Sequence, residues 1–579
     1  MSRKKYRAKN TGYPSIDQTH LAGFSHKELD PTIPPVSIST AIDLISFGHM
    51  RAPLVNQRDL TVTRGEYIKD SKMVAKALLQ LGVREGDIVV VFTPNLYQSL
   101  VVFKAANRIG AITTFLNNEA SDEELIKYLK NYNAPILVTY DQTKDFAQQI
   151  IHASPVRYVI NIDKSKVDSR EQVGLPKIKD NFVAYHHLES IADKWSYRIK
   201  YLQKDARNKE ALILYTSGST GEPKSMVFTN ENVLAALTYL KYSTHAKPYA
   251  KDSFWWLGVV PFMYPYGFIC SVMVPLLGGF GARLAPDMGA ETLNYYFAKD
   301  SQVICGSPAL IDTMFQSLDD DVRIPSLNTF LSGGDFLSAQ TSCKAMIFFR
   351  KHGAKHATVC NGSGNGEILG CATNAMGYDY RPETVGKLIL GPQYLVVDEN
   401  NEEVKYGEPG ELLVSGKHVF KEYYKNPKKT AEVTQHINNQ RFYCTGNYGS
   451  MDEDRYFTFV GRASRFYINS AFKKVYCGKV QRAVAMLSEV RECAVVPMSD
   501  KKMRFVSKAF IVLQKGTKAS KALEKQIIDQ LEHSLNRADV ELKDYEIPRD
   551  ITFIDKLPRT HADKIDYELL RKRVEDKSD

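Results

Sequence analysis

Apolar positions in the first 140 residues alternate between two spacings. From Glu66 to Leu81 they recur at helical spacing, and Gly82 follows as a helix-ending glycine. Ile88 to Phe92 is an unbroken apolar run, typical of a strand that is buried on both faces. Leu96 to Arg108 returns to the helical pattern. This alternation predicts a mostly parallel sheet with helices on both faces.

The pattern changes near residue 385. Short strand-like runs, such as Glu411 to Ser415 and Tyr456 to Val460, are then separated by turn clusters, which indicates a small antiparallel β subdomain over about residues 385–460. A compact stretch of strands and helices follows Arg462, with a helix expected from Ala519 to Asn536. We therefore expect an α/β protein with three parts: an N-terminal arm and lead-in (1–60), a large N-terminal domain (61–463) and a small mobile α+β C-terminal domain (464–579).

Charge and cysteine usage narrow the class of protein. Lys and Arg number 76 and Asp and Glu 66, so the net charge of +10 is mildly basic, and no basic–aromatic alternation indicates a nucleic-acid partner. The eight cysteines form no C-x-x-C pair, so we expect reduced thiols and no zinc site. The charged N-terminus and the lack of an apolar run of about 18 residues predict a cytoplasmic protein without a signal peptide or transmembrane segment. The sequence leaves the oligomeric state open.

The most informative stretch runs from Ala211 to Lys224. An apolar strand leads directly into a loop of hydroxyl-bearing residues and glycines, and a lysine follows. Hydroxyls and closely approaching backbone N–H groups bind anions, and the lysine adds a positive charge for a phosphate. The spacing is not that of a Walker A loop. The predicted phosphate-binding residues are Thr216, Ser217, Gly218, Ser219, Thr220, Gly221 and Lys224.

Tyr215 to Lys224 closely resembles the signature of the adenylate-forming superfamily, which comprises acyl-CoA synthetases, adenylation domains of peptide synthetases and firefly luciferase. The resemblance extends from about Thr61 to Arg571, because further motifs recur in the same order. It implies that ATP activates a small carboxylic acid as acyl-AMP, with Mg²⁺ bound. The acyl group then passes to the thiol of coenzyme A or, alternatively, of a carrier-protein phosphopantetheine.

The resemblance also assigns roles to individual residues. Glu367 would ligate Mg²⁺, and Lys564 would contact the substrate carboxylate and the α-phosphate, so Lys224, Glu367 and Lys564 are the expected catalytic residues. Ser464 would be the hinge for rotation of the C-terminal domain. The expected ATP contacts beyond the loop are Gly333, Gly334, Asp335, Asn361, Gly362, Ser363, Gly366, Asn447 and Arg462. The expected loop beside the thiol tunnel contains Ala471, Phe472 and Lys473.

Four positions depart from the motifs of the superfamily. Ser363 replaces an aromatic residue, Gly366 a threonine, Asn447 an aspartate and Asp563 a glycine. The neutral Asn447 amide has one acceptor oxygen, so we expect weaker ribose binding than an aspartate gives. Together the four changes leave open a degenerate relative that binds nucleotide or acyl ligand without turnover.

The segment from Pro261 to Gly267 resembles the motif beside the acyl group. Tyr264, Gly267 and Gly364 are the expected residues of the acyl pocket. Pro265 lies near the position where relatives that activate amino acids carry an aspartate for the substrate ammonium. We therefore expect a fatty or aromatic acid without an α-amino group, whose chain length and ring substitution the sequence leaves open.

Overall fold

A computed structural model describes most of the chain. The described residues are 10–21, 24–168, 181–192, 206–215, 224–244, 254–334, 337, 339–374, 381, 384–462, 465–471, 473–500, 502–533, 542–559 and 565–575. The α-helices are α1 (Pro14–Asp17), α2 (His26–Leu29), α3 (Ile38–Ser46), α4 (Arg64–Gln80), α5 (Tyr97–Arg108), α6 (Asp122–Tyr132), α7 (Lys144–Ala153), α8 (Leu188–Ala192), α9 (Asn230–Thr244), α10 (Val274–Gly278), α11 (Ala290–Ala298), α12 (Pro308–Ser317), α13 (Ala339–Lys351), α14 (Pro427–Glu432), α15 (Cys477–Ala485), α16 (Lys521–His533) and α17 (Tyr567–Glu575).

Two large sheets form the frame of the N-terminal part. The first has the order β19-β9-β8-β4-β3-β5-β6-β7 and is parallel except at β8–β9 and β9–β19. Its strands are β3 (Ile88–Phe92), β4 (Ile112–Phe115), β5 (Ile136–Tyr140), β6 (Tyr158–Ile162), β7 (Phe182–Ala184), β8 (Glu210–Tyr215), β9 (Ser225–Thr229) and β19 (Glu422–Tyr423). All five residues of β3 are buried, which is the reason for its unbroken apolar sequence.

The second large sheet has the order β14-β13-β12-β10-β11-β1-β2 and is parallel except at β1–β2. Its strands are β1 (Pro53–Gln57), β2 (Leu60–Thr63), β10 (Trp255–Gly258), β11 (Gly281–Leu284), β12 (Val303–Gly306), β13 (Thr329–Ser332) and β14 (Thr358–Asn361). Residues 38–60, assigned above to a lead-in, thus supply a helix and strands to the large domain. Within them, Ile38, Ala41, Ile42 and Ile45 recur at helical spacing, which is the pattern of the helix α3.

Smaller sheets complete the chain. An antiparallel sheet follows residue 385, as the change of pattern predicts, and contains β17 (Gln393–Val397), β18 (Gly410–Ser415), β20 (Thr434–Ile437), β21 (Gln440–Met451) and β22 (Phe457–Arg462). The remaining strands are β15 (Thr373–Asn374), β16 (Lys387–Leu388), β23 (Phe466–Ile468), β24 (Lys474–Tyr476), β25 (Val490–Asp500), β26 (Arg504–Leu513) and β27 (Asp550–Phe553). The C-terminal part has its own core, in which Val480, Val495 and Ile527 are buried together.

The predicted fold class is confirmed: two mostly parallel sheets, a small antiparallel subdomain and a small α+β unit. The helix α16 (Lys521–His533) lies within the predicted range 519–536. All eight cysteines are free thiols. Within the described ranges, none of the helices is both long enough and apolar enough to span a bilayer.

Candidate active site

A cavity of about 1360 Å³ lies where the large and small domains meet. In the second sheet, β12, β13 and β14 are parallel, and their carboxyl ends lead to Gly306, Gly333 and Asn361 on the cavity wall. Ligands of open α/β sheets bind at this edge. Tyr567 and Arg571 on α17 line the same cavity from the small domain. The geometry therefore offers one continuous compartment with a wall from each domain.

Glu367 and Lys224 lie on this wall around one tyrosine. The Tyr423 hydroxyl donates a hydrogen bond to Oε1 of Glu367 over 2.5 Å, and the glutamate is 7% exposed. Burial, followed by the charge of Glu367, raises the pKa of Tyr423 well above its usual value, so the hydroxyl keeps its proton. The Lys224 ammonium lies 5.5 Å from the centre of the Tyr423 ring. Tyr423 thus contacts a carboxylate through its hydroxyl and lies near a cation with its ring.

The donor set around Glu367 fits one kind of metal ion. No group of three or more His, Cys, Asp or Glu side chains that could hold a metal occurs among the described residues. Mg²⁺ in nucleotide enzymes usually takes one or two carboxylates and fills its remaining positions with phosphate oxygens and water. A single buried carboxylate that lines the same cavity as Lys224 is compatible with that requirement, whereas it could not hold a zinc ion by itself.

Asn447 and Arg462 face each other because β21 and β22 pair at these two residues. Nη1 of Arg462 donates to Oδ1 of Asn447 over 2.7 Å, and Nδ2 of Asn447 donates to Oδ1 of Asn365 over 3.0 Å. Asn365 in turn donates to the Thr445 carbonyl oxygen over 2.7 Å. Burial lowers the pKa of Arg462. Both polar ends of the Asn447 amide therefore have partners within the protein.

Three predicted glycines are fixed by close packing. A Cβ atom on Gly364 would lie 2.2 Å from the Gly370 carbonyl group, and one on Gly267 would lie 2.1 Å from the Pro261 carbonyl oxygen. A Cβ atom on Gly366 would lie 2.9 Å from the Met226 side chain. The departure from threonine at position 366 therefore accompanies a methionine that fills the threonine side chain's space.

One arm of the cavity is apolar. Tyr264 also lines the cavity, and burial raises the pKa of its phenol to about 12. Along α9 the arm is lined by residues spaced three or four apart, which share one helix face. The side chains of this arm are Ala41, Ile45, Leu234, Leu237, Thr238, Leu240, Trp256, Val274, Leu277 and Phe280. None of these was predicted, because apolar residues at helical spacing look the same on a buried face and on a channel.

The ends of the predicted phosphate loop are held by Tyr132 at the end of α6. Its hydroxyl contacts the Tyr215 hydroxyl, and it lies 2.7 Å from Oγ of Ser225. Tyr215 and Ser225 are paired residues of β8 and β9, and they immediately flank residues 216–224. No local pattern indicates this contact, since Tyr132 lies more than 80 residues before the loop.

The predicted site residues fall into three groups. Lining the cavity are Lys224, Tyr264, Gly333, Gly334, Asn361, Gly362, Ser363, Gly364, Gly366, Glu367, Asn447 and Arg462. Gly267 lies buried behind the cavity wall, while Ala471 and Lys473 are exposed in the β23–β24 turn and do not line the cavity. Outside the described residues are Thr216, Ser217, Gly218, Ser219, Thr220, Gly221, Asp335, Ser464, Phe472, Asp563 and Lys564.

The chain neighbours of two undescribed segments nevertheless lie at the cavity. Tyr215 and Lys224 flank residues 216–223 of the predicted phosphate loop, and Ile565 follows Lys564. All three line the same cavity. Arg465 also lines it and lies 3.4 Å above the Tyr567 ring. No motif indicates α17 as a wall of the site, although this helix begins three residues after the predicted catalytic lysine.

Comparisons with known proteins agree with this architecture. Residues 47–424 match the family model described as AMP-binding enzyme, and residues 479–564 match the model of the AMP-binding enzyme C-terminal domain. An uncharacterized acyl-CoA ligase of Bacillus subtilis is 26% identical over 88% of this chain and 89% of its own length. A probable 4-coumarate–CoA ligase of Dictyostelium discoideum is 26% identical over 87% of this chain and 88% of its own. A long-chain-fatty-acid–CoA ligase of Bacillus subtilis is 24% identical over 89% of each.

Solved structures share the fold at lower identity. The anthranilate CoA ligase in complex with anthranoyl-AMP is 21% identical, with a TM-score of 0.77 over 93% of this chain and 98% of that one. The O-succinylbenzoate coenzyme A synthetase of Bacillus subtilis, in complex with ATP and magnesium ion, is 18% identical, with a TM-score of 0.69 over 92% of this chain and 99% of that one.

The fold and its interdomain cleft define an adenylate-forming enzyme, the class that the sequence predicted. Since the first family model alone matches more than half of the residues, the chain belongs to the AMP-binding enzyme family. The predicted enzyme class, an AMP-forming acid–thiol ligase, agrees with the relatives, which are acyl-CoA ligases by name.

Proposed function

We propose that this enzyme activates a fatty acid with ATP as acyl-AMP, releases pyrophosphate, and transfers the acyl group to coenzyme A. The observation that carries the proposal is a single cavity with Lys224, Glu367 and Arg462 at one end and an elongated apolar arm at the other. The polar end matches a triphosphate and the arm matches a water-insoluble acid. The names of the relatives support the same class of reaction for this chain.

The shape of the apolar arm favours an aliphatic chain over a single ring. It follows α9 from Leu234 to Lys241, eight residues whose seven steps span about 10 Å at the helical rise of 1.5 Å per residue. Trp256 and Phe280 also line the arm, and their rings stack with centres 6.2 Å apart. Aromatic acids are the other substrate class that the sequence left open, and the substrate test below includes them.

The substrate's lack of an α-amino group follows from the residues at the entrance of the arm. Pro265 is buried beside Tyr264 and carries no charge for an ammonium group. An unpaired ammonium in this apolar arm would lose its hydration without compensation. An acid whose α-carbon bears only hydrogen or carbon substituents is therefore the proposed substrate.

In the first step, a carboxylate oxygen of the acid attacks the α-phosphorus of ATP, and the bond to pyrophosphate breaks. No side chain needs to act as nucleophile, because positioning and charge neutralisation supply the catalysis. Lys224 would hold the leaving pyrophosphate, and Lys564 would bridge the carboxylate and the α-phosphate. Mg²⁺, held by Glu367 and the phosphates, would supply further positive charge. Arg462 and Asn447 would bind the ribose.

In the second step, the thiol attacks the acyl carbon and AMP leaves. Rotation of the C-terminal domain about the proposed hinge Ser464, with the domain boundary at residues 463/464, would withdraw Lys564 and bring Ala471, Phe472 and Lys473 to the cavity. The exposed position of Ala471 and Lys473 fits a loop that waits outside the cleft during adenylation. A carrier-protein phosphopantetheine is the alternative acceptor, since both acceptors present the same thiol arm.

Carboxylate-dependent ATP–pyrophosphate exchange tests the first step. With a panel of fatty, aromatic and α-amino acids, we expect exchange with fatty acids and none with α-amino acids. Lys564→Ala should lower the exchange rate by roughly a hundredfold or more, because it removes a charge from the transition state. Lys556→Ala, an exposed lysine of the same segment, is the matched control.

Two results would overturn the proposal. Absence of exchange with every acid, while calorimetry shows ATP binding, would favour the degenerate relative that binds without turnover. Exchange that is unchanged in Lys564→Ala would refute the mechanism. Adding coenzyme A or a holo carrier protein to preformed acyl-AMP distinguishes the two acceptors.

A further inference from the structure

The far end of the apolar arm reaches the protein surface. Thr32, Pro34 and Lys241 line the cavity and are exposed. Ile45 of α3 lines the arm close to this end, and α3 packs against α9 and α10, which form its other walls. The arm is therefore a channel with a second opening, which these exposed residues of the large domain border.

Exposed apolar side chains surround the end of α3. Leu44, Phe47 and Met50 are 63%, 85% and 45% exposed, and we name them the α3 patch. They are three of the nine large hydrophobic residues that are exposed in the described part of the chain, and they fall within seven consecutive positions. Scattered exposed apolar residues are ordinary, but a cluster of them marks a surface that meets an apolar partner.

The charges beside the α3 patch are mostly positive. His49, Arg51 and Lys241 are exposed next to it or at the channel opening. The acidic residue on α3, Asp43, is bound by Lys104 over 2.6 Å and by Arg108 over 2.7 Å, so its charge is compensated within the protein. An apolar patch with basic neighbours complements the surface of a bilayer that contains anionic lipids.

We propose that the α3 patch docks on an anionic lipid bilayer, so that the second opening takes up the acid directly from the lipid phase. The inference rests on the proposed function, because only a lipophilic acid would need this route. A free fatty acid partitions into bilayers, and an opening held at the headgroup level lets its chain enter the channel without crossing water. The interdomain cleft then remains free for ATP and the thiol.

Vesicle sedimentation with the full chain tests the docking. Wild-type protein is expected to sediment with phosphatidylcholine vesicles that contain phosphatidylglycerol, less with pure phosphatidylcholine, and less again at high salt. The double substitution Leu44→Ser and Phe47→Ser should weaken vesicle binding roughly tenfold or more, since two apolar side chains are lost from the contact. Ile347→Ser is the matched control, because Ile347 is 65% exposed on α13 at a different surface.

An activity measurement separates this inference from the proposed function. Exchange with a short, water-soluble acid is expected to be equal in wild type and the double variant, because neither substituted side chain lines the cavity. Exchange with a long-chain acid supplied in anionic vesicles is expected to fall about tenfold in the variant, in parallel with binding. Thermal unfolding checks that the variant is folded, and Phe47→Ala serves if it is not.

Three outcomes would overturn the docking proposal. Wild-type protein that stays in the supernatant with every vesicle would do so, as would a double variant that binds like wild type. A dimer in ultracentrifugation that dissociates in the double variant, without vesicle binding, would assign the patch to a second copy of the chain. If the wild-type protein shows no exchange with the soluble acid and none with the long-chain acid, that result would instead contradict the proposed function.

Discussion

The two ends of the cavity are built on different physical principles. At the polar end, Tyr423 holds Glu367, and Arg462 holds Asn447, through hydrogen bonds of 2.5 and 2.7 Å. The apolar arm contains no comparable directional contact between its lining side chains and depends on the packing of α3, α9 and α10. Directional bonds fix a reacting geometry, whereas non-directional burial selects for length and shape. Substitutions at the polar end should therefore change rates, and those in the arm should change the choice of acid.

Glu367→Gln is expected to have the largest effect. The amide keeps the size of the side chain but removes the charge proposed to hold Mg²⁺, so the exchange rate should fall roughly a hundredfold, in line with the loss of one key electrostatic group. The measurement is pyrophosphate exchange over a range of Mg²⁺ concentrations. Tyr423→Phe removes only the hydroxyl that donates to Glu367, and it should cost a few-fold. Equal losses in both variants would mean that Glu367 acts only through Tyr423.

Leu237→Trp tests whether the apolar arm determines the length of the acid. The larger ring would fill part of the arm and displace two or three methylene groups of a long acid, each worth about 0.8 kcal/mol. We expect kcat/KM for a long-chain acid to fall about thirtyfold and that for a short acid to stay near the wild-type value. Leu237→Met is the control that conserves volume. An equal loss for both acids would place the acyl chain outside this arm.

The same contrast explains which parts of the molecule the sequence could predict. Ile88–Phe92 was predicted as a buried strand with its observed bounds, and the residues proposed for ATP from Lys224 to Arg462 lie on one cavity wall where they are described. These residues sit in short motifs, which carry their spacing within a few positions. Tyr132, Tyr423 and α17 belong to the site through contacts across the fold, and no local pattern identifies them. Periodicity likewise did not indicate the π-helix at Gly267–Met273.

Asn447→Asp is expected to strengthen ATP binding at the polar end of the cavity. A carboxylate would pair with Arg462 and accept ribose hydroxyls with a full charge, at the cost of the hydrogen bond that Asn447 donates to Asn365. Hydrogen bonds to charged groups contribute about 1.5–3 kcal/mol against about 1 for neutral ones, so KM for ATP should fall roughly tenfold. The gain should be smaller with 2′-deoxy-ATP, which lacks one of the two hydroxyls. An unchanged KM for both nucleotides would remove Asn447 from the ribose site.

Tyr132→Phe should have the smallest effect, and only the KM for ATP should change. The lost hydroxyl ties Tyr215 and Ser225 to α6, so the variant should hold the two ends of the phosphate loop less firmly. One neutral hydrogen bond is worth about 1 kcal/mol, which predicts a rise of about fivefold in KM for ATP and little change in KM for the acid. Tyr424→Phe is the control, since its ring packs on Tyr132 with centres 5.1 Å apart but bridges neither end of the loop. Because the loop ends meet the polar end and not the apolar arm, a rise in both KM values would mean that Tyr132 supports the whole sheet. A rise for ATP alone would assign it to the triphosphate.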